Sequence, residues 1–195
     1  MGPVTRAWID DLSALSPDVV AVRRLIGSDY RSARRELRRR AGPGSAAAVL
    51  AQQEAVADAL AAVLAEIPDE LLRAPGCEED WNVAQAFSHT TGARRGLARA
   101  GALAAREEWP VEPPKVVPGV PGAADASREA LLALLDKSRR SMAESAAAIA
   151  GHESDPCPLD HPLIGRLRCG EWLLFAGVHD LMHLEQLHRL ADAAG

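Results

Sequence analysis

GEWLLFAGVHDLMHLEQL, residues 170–187, reads as one helix carrying two imidazoles four positions apart, His179 and His183, inside an apolar run. At about 100° per residue, Trp172, Phe175, Ala176, His179, Met182, His183, Gln186 and Leu190 share one broad face. Both histidines therefore point the way the apolar side chains point. The opposite side, Leu173, Leu174, Val178, Leu181 and Leu184, is apolar as well. A helix that is apolar on both sides is covered on both sides. The expected cover is a second subunit, giving a homodimer, with the arginine-rich N-terminal segment as the competing candidate.

The rest of the 195-residue chain supplies helical neighbours. Alanine is abundant and aromatic residues make up only 4%, a bias that favours helix over sheet. A first helix is predicted over 17–40, with Val22, Ile26, Tyr30, Ala33 and Leu37 at helical spacing. The sequence AGPGS at 41–45 then breaks it. The segment 46–67 places Val49, Val56, Leu60, Val63 and Ile67 on one stripe, and Pro68 ends it. PDELLRA adds a short helical turn. In EEDWNVAQAFSH, Asn82 is suited to an N-cap and Trp81 to a staple, opening a helix that runs to about Arg106. Val83, Phe87, Thr90 and Leu97 share its inner face, and His89 lies on the flank of that face.

Residues 110–122, PVEPPKVVPGVPG, hold five prolines and exclude helix. At about 3.1 Å per residue such a stretch spans roughly 40 Å. A 24-residue helix is about 36 Å long. The connection can thus travel the whole preceding helix and permits the next one to run parallel to it. That next helix is predicted over 126–150, with Leu131, Leu135, Ser138, Met142 and Ile149 on one side. Residues 151–169 read as irregular, and the last helix covers 170–192. No strand pattern persists. The expected class is all-α, a helical bundle with a long crossover.

Two histidines at i and i+4 have Cβ atoms about 5–6 Å apart, a practical separation for imidazoles that meet one metal ion. A third ligand must come from another helix, and His89 is the best placed. Three imidazoles would leave coordination positions open, as catalytic zinc sites do. The competing reading is a set of satisfied core histidines. His152 and His188 read as ordinary surface or loop residues. Trp172, Phe175, Met182 and Leu190 read as packing.

Three segments resemble the DinB/YfiT-like superfamily of metal-dependent enzymes. WNVAQAFSH, from Trp81 to His89, is similar to its Trp, cap residue, short apolar helix and histidine. HPLIGRLRCGEWLLF resembles its HPxxG–EW segment, and HDLMHLEQL its HxxxHxxQ ending. The likeness spans 81–187 and extends to about 45–195. It implies a four-helix bundle, up-down-down-up, with the long crossover between the second and third bundle helices. It also implies metal ligands at His89, His179 and His183. Residues 45–195 are thus read as the bundle domain, and 1–44 as a basic helical extension outside the common pattern.

The resemblance implies, further, an enzyme that transfers a low-molecular-weight thiol, such as bacillithiol or mycothiol, to an electrophile. The thiol would coordinate the ion as thiolate and its sulfur would attack. A metal-dependent hydrolase using bound hydroxide is the alternative, and a non-catalytic metal-binding or interaction bundle is another. Imidazole ligands suit zinc, nickel, copper and iron. Gln186, one turn beyond His183, either orients a ligand or substrate or bonds backbone at the end of the bundle. Asp180 is expected on the solvated surface by its angle. His161, in HPLIG, either borders the pocket or serves the turn. No Ser–His–Asp arrangement and no Gly-rich phosphate loop is present.

Charge is uneven. Residues 1–44 carry nine arginines against five acids, a net +4, which leaves −9 of the total −5 for the remainder. Asp29 and Glu36 interrupt the arginine run and the main body is acidic, so nucleic acid is not the expected partner. The basic helix is expected to be solvated or to neutralise the acidic body. Three widely spaced cysteines, Cys77, Cys157 and Cys169, without CxxC, read as reduced thiols. No run of about 18 apolar residues predicts a membrane span. The opening MGPVTRAWIDDL places acids where a signal peptide needs an apolar core. A cytoplasmic protein is the expectation.

Overall fold

Asn82 shows how local chemistry starts a helix in this chain. Its side chain accepts from the Gln85 N–H at 2.8 Å, and the Gln85 side chain accepts from the Asn82 N–H at 3.1 Å. This reciprocal box satisfies two donors that a helix start leaves orphaned. Trp81 packs on Ala86, the staple position one turn in. Asn82→Ala is expected to lower stability by about 1 kcal/mol, read as a shift in urea midpoint at unchanged slope.

The computed structural model describes residues 7–75, 81–112 and 119–194. Its helices are α1 (Ala7–Leu15), α2 (Pro17–Arg23), α3 (Tyr30–Arg40), α4 (Ala46–Glu66), α5 (Val83–Ala105), α6 (Arg128–Ile149) and α7 (Cys169–Ala194). A 3₁₀ turn, Asp69–Arg73, follows α4. The protein is mostly helical, as expected. The predicted spans 46–67, 83–106, 126–150 and 170–192 agree with α4 to α7 to within two residues at each end. All five stripe residues named for α4 are buried, as are those named for α6. Cys77 and residues 113–118 of the proline-rich linker lie outside the described residues.

Two expectations fail. The single helix over 17–40 is two helices, with a further one, α1, before them. Gly27, in the turn between α2 and α3, has φ +90°, a left-handed conformation that glycine adopts at no steric cost. Asp29 then caps α3 by accepting from the Ser32 N–H at 2.9 Å. The irregular stretch 151–169 contains an antiparallel hairpin, β1 (Pro156–His161) and β2 (Gly165–Arg168), with His161 opposite Gly165. Cys157, Leu159 and His161 alternate inward on β1, but prolines at 156 and 158 mask that period-two signal.

The helix ends that meet fix how the long helices run. Arg128, opening α6, donates to the carbonyls of Leu64 and Ile67 and pairs with Asp69 at 2.6 Å, all at the end of α4. The Ala46 N–H, opening α4, donates to Glu153 just past α6 at 3.3 Å. Residues 119–124 return to the start of α5: Gly122 N–H donates to Gln85 O at 3.3 Å, and the Asn82 amide to Ala124 O at 2.9 Å. The far half of α5 meets the end of α6 and the start of α7 at Gly101. A Cβ there would lie 2.6 Å from the Cys169 carbonyl oxygen and 3.1 Å from Ile149 Cδ1. Hence α5 and α6 start at the same end, and α7 runs back along α5.

Among the described residues one large core joins the N-terminal helices to the long ones. Leu12, Val19, Val22 and Leu37 from the N-terminal helices join Leu60, Phe87, Leu135 and Leu184 in it. Leu173, Leu174, Val178, Leu181 and Leu184 are fully buried within one chain, with α2, α3 and α4 packed on α7. The face on which the homodimer expectation rested is closed intramolecularly. The arginines of α3 join in: Arg38 pairs with buried Glu171 at 2.9 Å, Arg34 donates to the Arg166 carbonyl at 3.0 Å, and Arg40 pairs with Asp18 and Glu36. Part of the basic segment thus neutralises acids of its own chain. By length and composition alone α4 would cross a membrane. Here it packs between α6 and α7, and its Glu54 and Asp58 pair with Arg139.

Candidate metal centre

His89 is the seventh residue of α5, two turns from the capped start, and His179 and His183 face it from α7. Because α5 and α7 are antiparallel, the first half of α5 meets the middle of α7. One ring nitrogen from each of the three lies within 4.8 Å of the others. Ring centroids are 5.3 Å apart for His89–His179, 5.0 Å for His89–His183 and 4.7 Å for His179–His183. His89 and His179 are half-buried and His183 is buried. The three residues singled out from the sequence are therefore brought together, one from α5 and two from α7.

The hydrogen bonds sort the nitrogens. His89 Nδ1 stands 3.1 Å from the Val120 carbonyl oxygen. A carbonyl only accepts, so Nδ1 carries the proton and Nε2 keeps its lone pair. His183 Nδ1 stands 3.2 Å from Gln186 Oε1, with the same consequence. Of the two readings of Gln186, the one that orients a ligand has this contact. Metal-bound histidines characteristically spend their other N–H this way. His179 Nδ1 is buried and has no hydrogen-bond partner among the described residues. A buried nitrogen left without a partner is costly, and a cation would supply one. The donor set fits a divalent transition metal. Trp81 stands edge-on to His89 at 5.0 Å and walls the site.

Burial, followed by the neighbouring His183, His89 and His161, pushes His179 well below its ordinary 6.5. Burial alone brings His161 down to about 4. His161 does both things proposed for it. Its Nδ1 accepts from the Leu163 N–H at 3.2 Å within the turn, and its ring meets Phe175 edge-on at 4.7 Å beside the cluster. A histidine depressed in the fold takes its proton later than in the unfolded chain, so stability falls as pH drops from 6.5 toward 4. In chelator, the melting temperature is expected to decline across that window, and His161→Gln to decline less steeply.

Other expectations need correction. Asp180 is not solvated: it is fully buried, 2.8 Å from the equally buried Arg94. Angle alone placed it outside, but α7 has no wet side at this level. Arg94 was not singled out, although a helix apolar on both sides leaves no solvated face for an aspartate, and that was the available signal. His188 is not an ordinary surface residue. It is half-buried and stacks on Trp8 of α1 at 4.8 Å. His152, exposed and paired with Asp155, is. Cys157 and Cys169 are free and buried, and burial pushes Cys169 up to about 12, so it stays a thiol.

A mostly helical protein whose α5 and α7 bring three imidazoles to one point is a candidate metal-binding protein. A family model for the DinB superfamily matches residues 52–187, more than two thirds of the chain. The chain belongs to the DinB superfamily, which contains metal-binding proteins. The match covers α5, α6, the hairpin, all three histidines and Gln186, and most of α4, but not α1 to α3. No curated protein and no solved structure matches the chain.

Proposed function

We propose that this protein is a metal-dependent transferase that joins a low-molecular-weight thiol to an electrophile. His89, His179 and His183 are its metal ligands. The observation that carries the reading is the histidine trio within 4.8 Å, two of whose Nδ1 protons are tied to oxygens. A divalent ion held by these three neutral ligands would keep its full charge and would lower the pKa of a thiol or water near it. Gln186 holds the His183 ring, the Val120 carbonyl holds His89, and Trp81 shields one side. The helix-end contacts support reading α4 to α7 as an up-down-down-up four-helix bundle with the proline-rich stretch as its crossover. That arrangement sets α5 and α7 antiparallel, as the site needs.

Metal-loaded protein incubated with a cellular thiol and monochlorobimane is expected to form the fluorescent conjugate faster than the uncatalysed rate. The gain is expected to disappear on chelation and in His179→Ala. Protein that holds its metal but yields no conjugate across several thiols would refute the transferase reading. Hydrolysis of an ester or amide panel without thiol would replace it with a hydrolase.

A further inference from the structure

A cleft of about 630 Å³ runs between α5 and α6, apart from the histidines. Arg95 and Arg99 line it from α5, Lys137 and Arg140 from α6, with Glu144 as the single acid, a net of +3. This stands within a segment, 45–195, whose net charge is −9. None of the four cations has an ion pair or side-chain hydrogen bond among the described residues. Their sequence neighbours behave differently. Arg94 is buried against Asp180, and Arg139 reaches Glu54 and Asp58 on α4. Arg95 and Arg99, like charges four apart on one helix, repel, and Glu144, four residues after Arg140, offsets only one of the four cations.

The floor of the cleft adds a second observation. Gly92 and Gly96 lie inside α5, where glycine is unfavourable relative to alanine. A Cβ at either would meet nothing within 4 Å. Internal packing therefore does not require these glycines. They keep the cleft floor at the level of the backbone, the usual device where a ligand comes close to the main chain.

We propose that the α5–α6 cleft binds a compact polyanion, a small molecule carrying two or more phosphate groups. Three guanidiniums offer forked donors that match phosphate oxygens. The volume falls in the range of small-molecule sites, about 300–1,000 Å³. The acidic charge of the surrounding segment favours a compact anion over an extended one, because a long polyanion leaving the cleft meets net negative charge.

Calorimetric titration of the full chain with tripolyphosphate at low ionic strength tests this, with a single-stranded oligonucleotide titrated in parallel. Saturable binding of one tripolyphosphate is expected, weakening as salt rises. The double variant Arg99→Gln/Arg140→Gln is expected to lose at least about tenfold in affinity. Gly96→Leu fills the cleft floor and is expected to weaken binding while the melting temperature holds or rises. His89→Ala is expected to bind tripolyphosphate as the parent does. The proposal is overturned by absence of binding, by unchanged affinity in the double variant or in Gly96→Leu, by loss of binding in His89→Ala, or by tighter binding of the oligonucleotide.

Discussion

Purified without chelator, the protein is expected to carry about one divalent transition-metal ion per chain, and His183→Ala to carry almost none. Elemental analysis by mass spectrometry reads the difference directly. The size of the effect follows from the geometry. Among the described residues three imidazoles make up the donor set at the site, so removing one leaves two of them, too few for a stable centre. The affinity loss should exceed the 10- to 100-fold typical of an outer partner. Gln186→Leu sets the comparison, since it leaves all three ligands and frees only the His183 ring from its 3.2 Å contact. Its loss should stay within that 10- to 100-fold range. Metal should also protect the fold, by about 2.7 kcal/mol at a concentration 100 times the dissociation constant. That protection should be absent in His183→Ala. A His183→Ala protein that retains its metal at parent stoichiometry would place the ion elsewhere and remove the basis of the proposed chemistry.

The sequence makes the long helices legible because each carries its own stripe, and α5 its own cap. Asn82 with Gln85, the Val49–Ile67 stripe and the Leu131–Ile149 stripe are local signals, and the structure keeps them. The histidine trio is legible for a different reason. His179 and His183 are paired by helical spacing alone, while His89 comes from a distant segment and is joined to them by its place on the flank of an inner helix face and by resemblance. What escapes depends on tertiary context. The turn at Gly27 interrupts a pattern that remains helical on both sides of it. The hairpin hides its alternation behind prolines. The Val120 carbonyl that orients His89 belongs to a linker, and a backbone oxygen leaves no trace in sequence. Angle-based reasoning assumes that one side of a helix meets water, and α7 breaks that assumption along most of its length.

Asp180 is where that assumption matters most for stability. Its carboxylate sits 2.8 Å from Arg94, and Arg94 also donates to the Gln53 carbonyl at 2.8 Å. Gln53 in turn donates to the Leu173 carbonyl at 2.9 Å. The network thus ties α4, α5 and α7 together one residue from His179. Removing one partner of a buried ion pair strands the other, at a cost of about 3–5 kcal/mol. Arg94→Leu and Asp180→Leu should each lower the unfolding free energy by that amount in urea titrations, and the pair replaced together should recover much of it. The two single variants should differ in pH response. Burial pushes the Asp180 carboxyl up, and the Arg94 guanidinium pulls it back. Without Arg94 the carboxyl rises further and can bury itself protonated. A raised folded-state pKa gives stability that is present at low pH and lost as pH rises through it. Arg94→Leu should therefore be more stable near pH 5 than near pH 8, relative to the parent. Asp180→Leu leaves a guanidinium that cannot shed its proton in this range, so acid gives it no such relief. Equal pH responses in the two variants would mean that water reaches the pair, and the sealed interior of α7 would have to be redrawn.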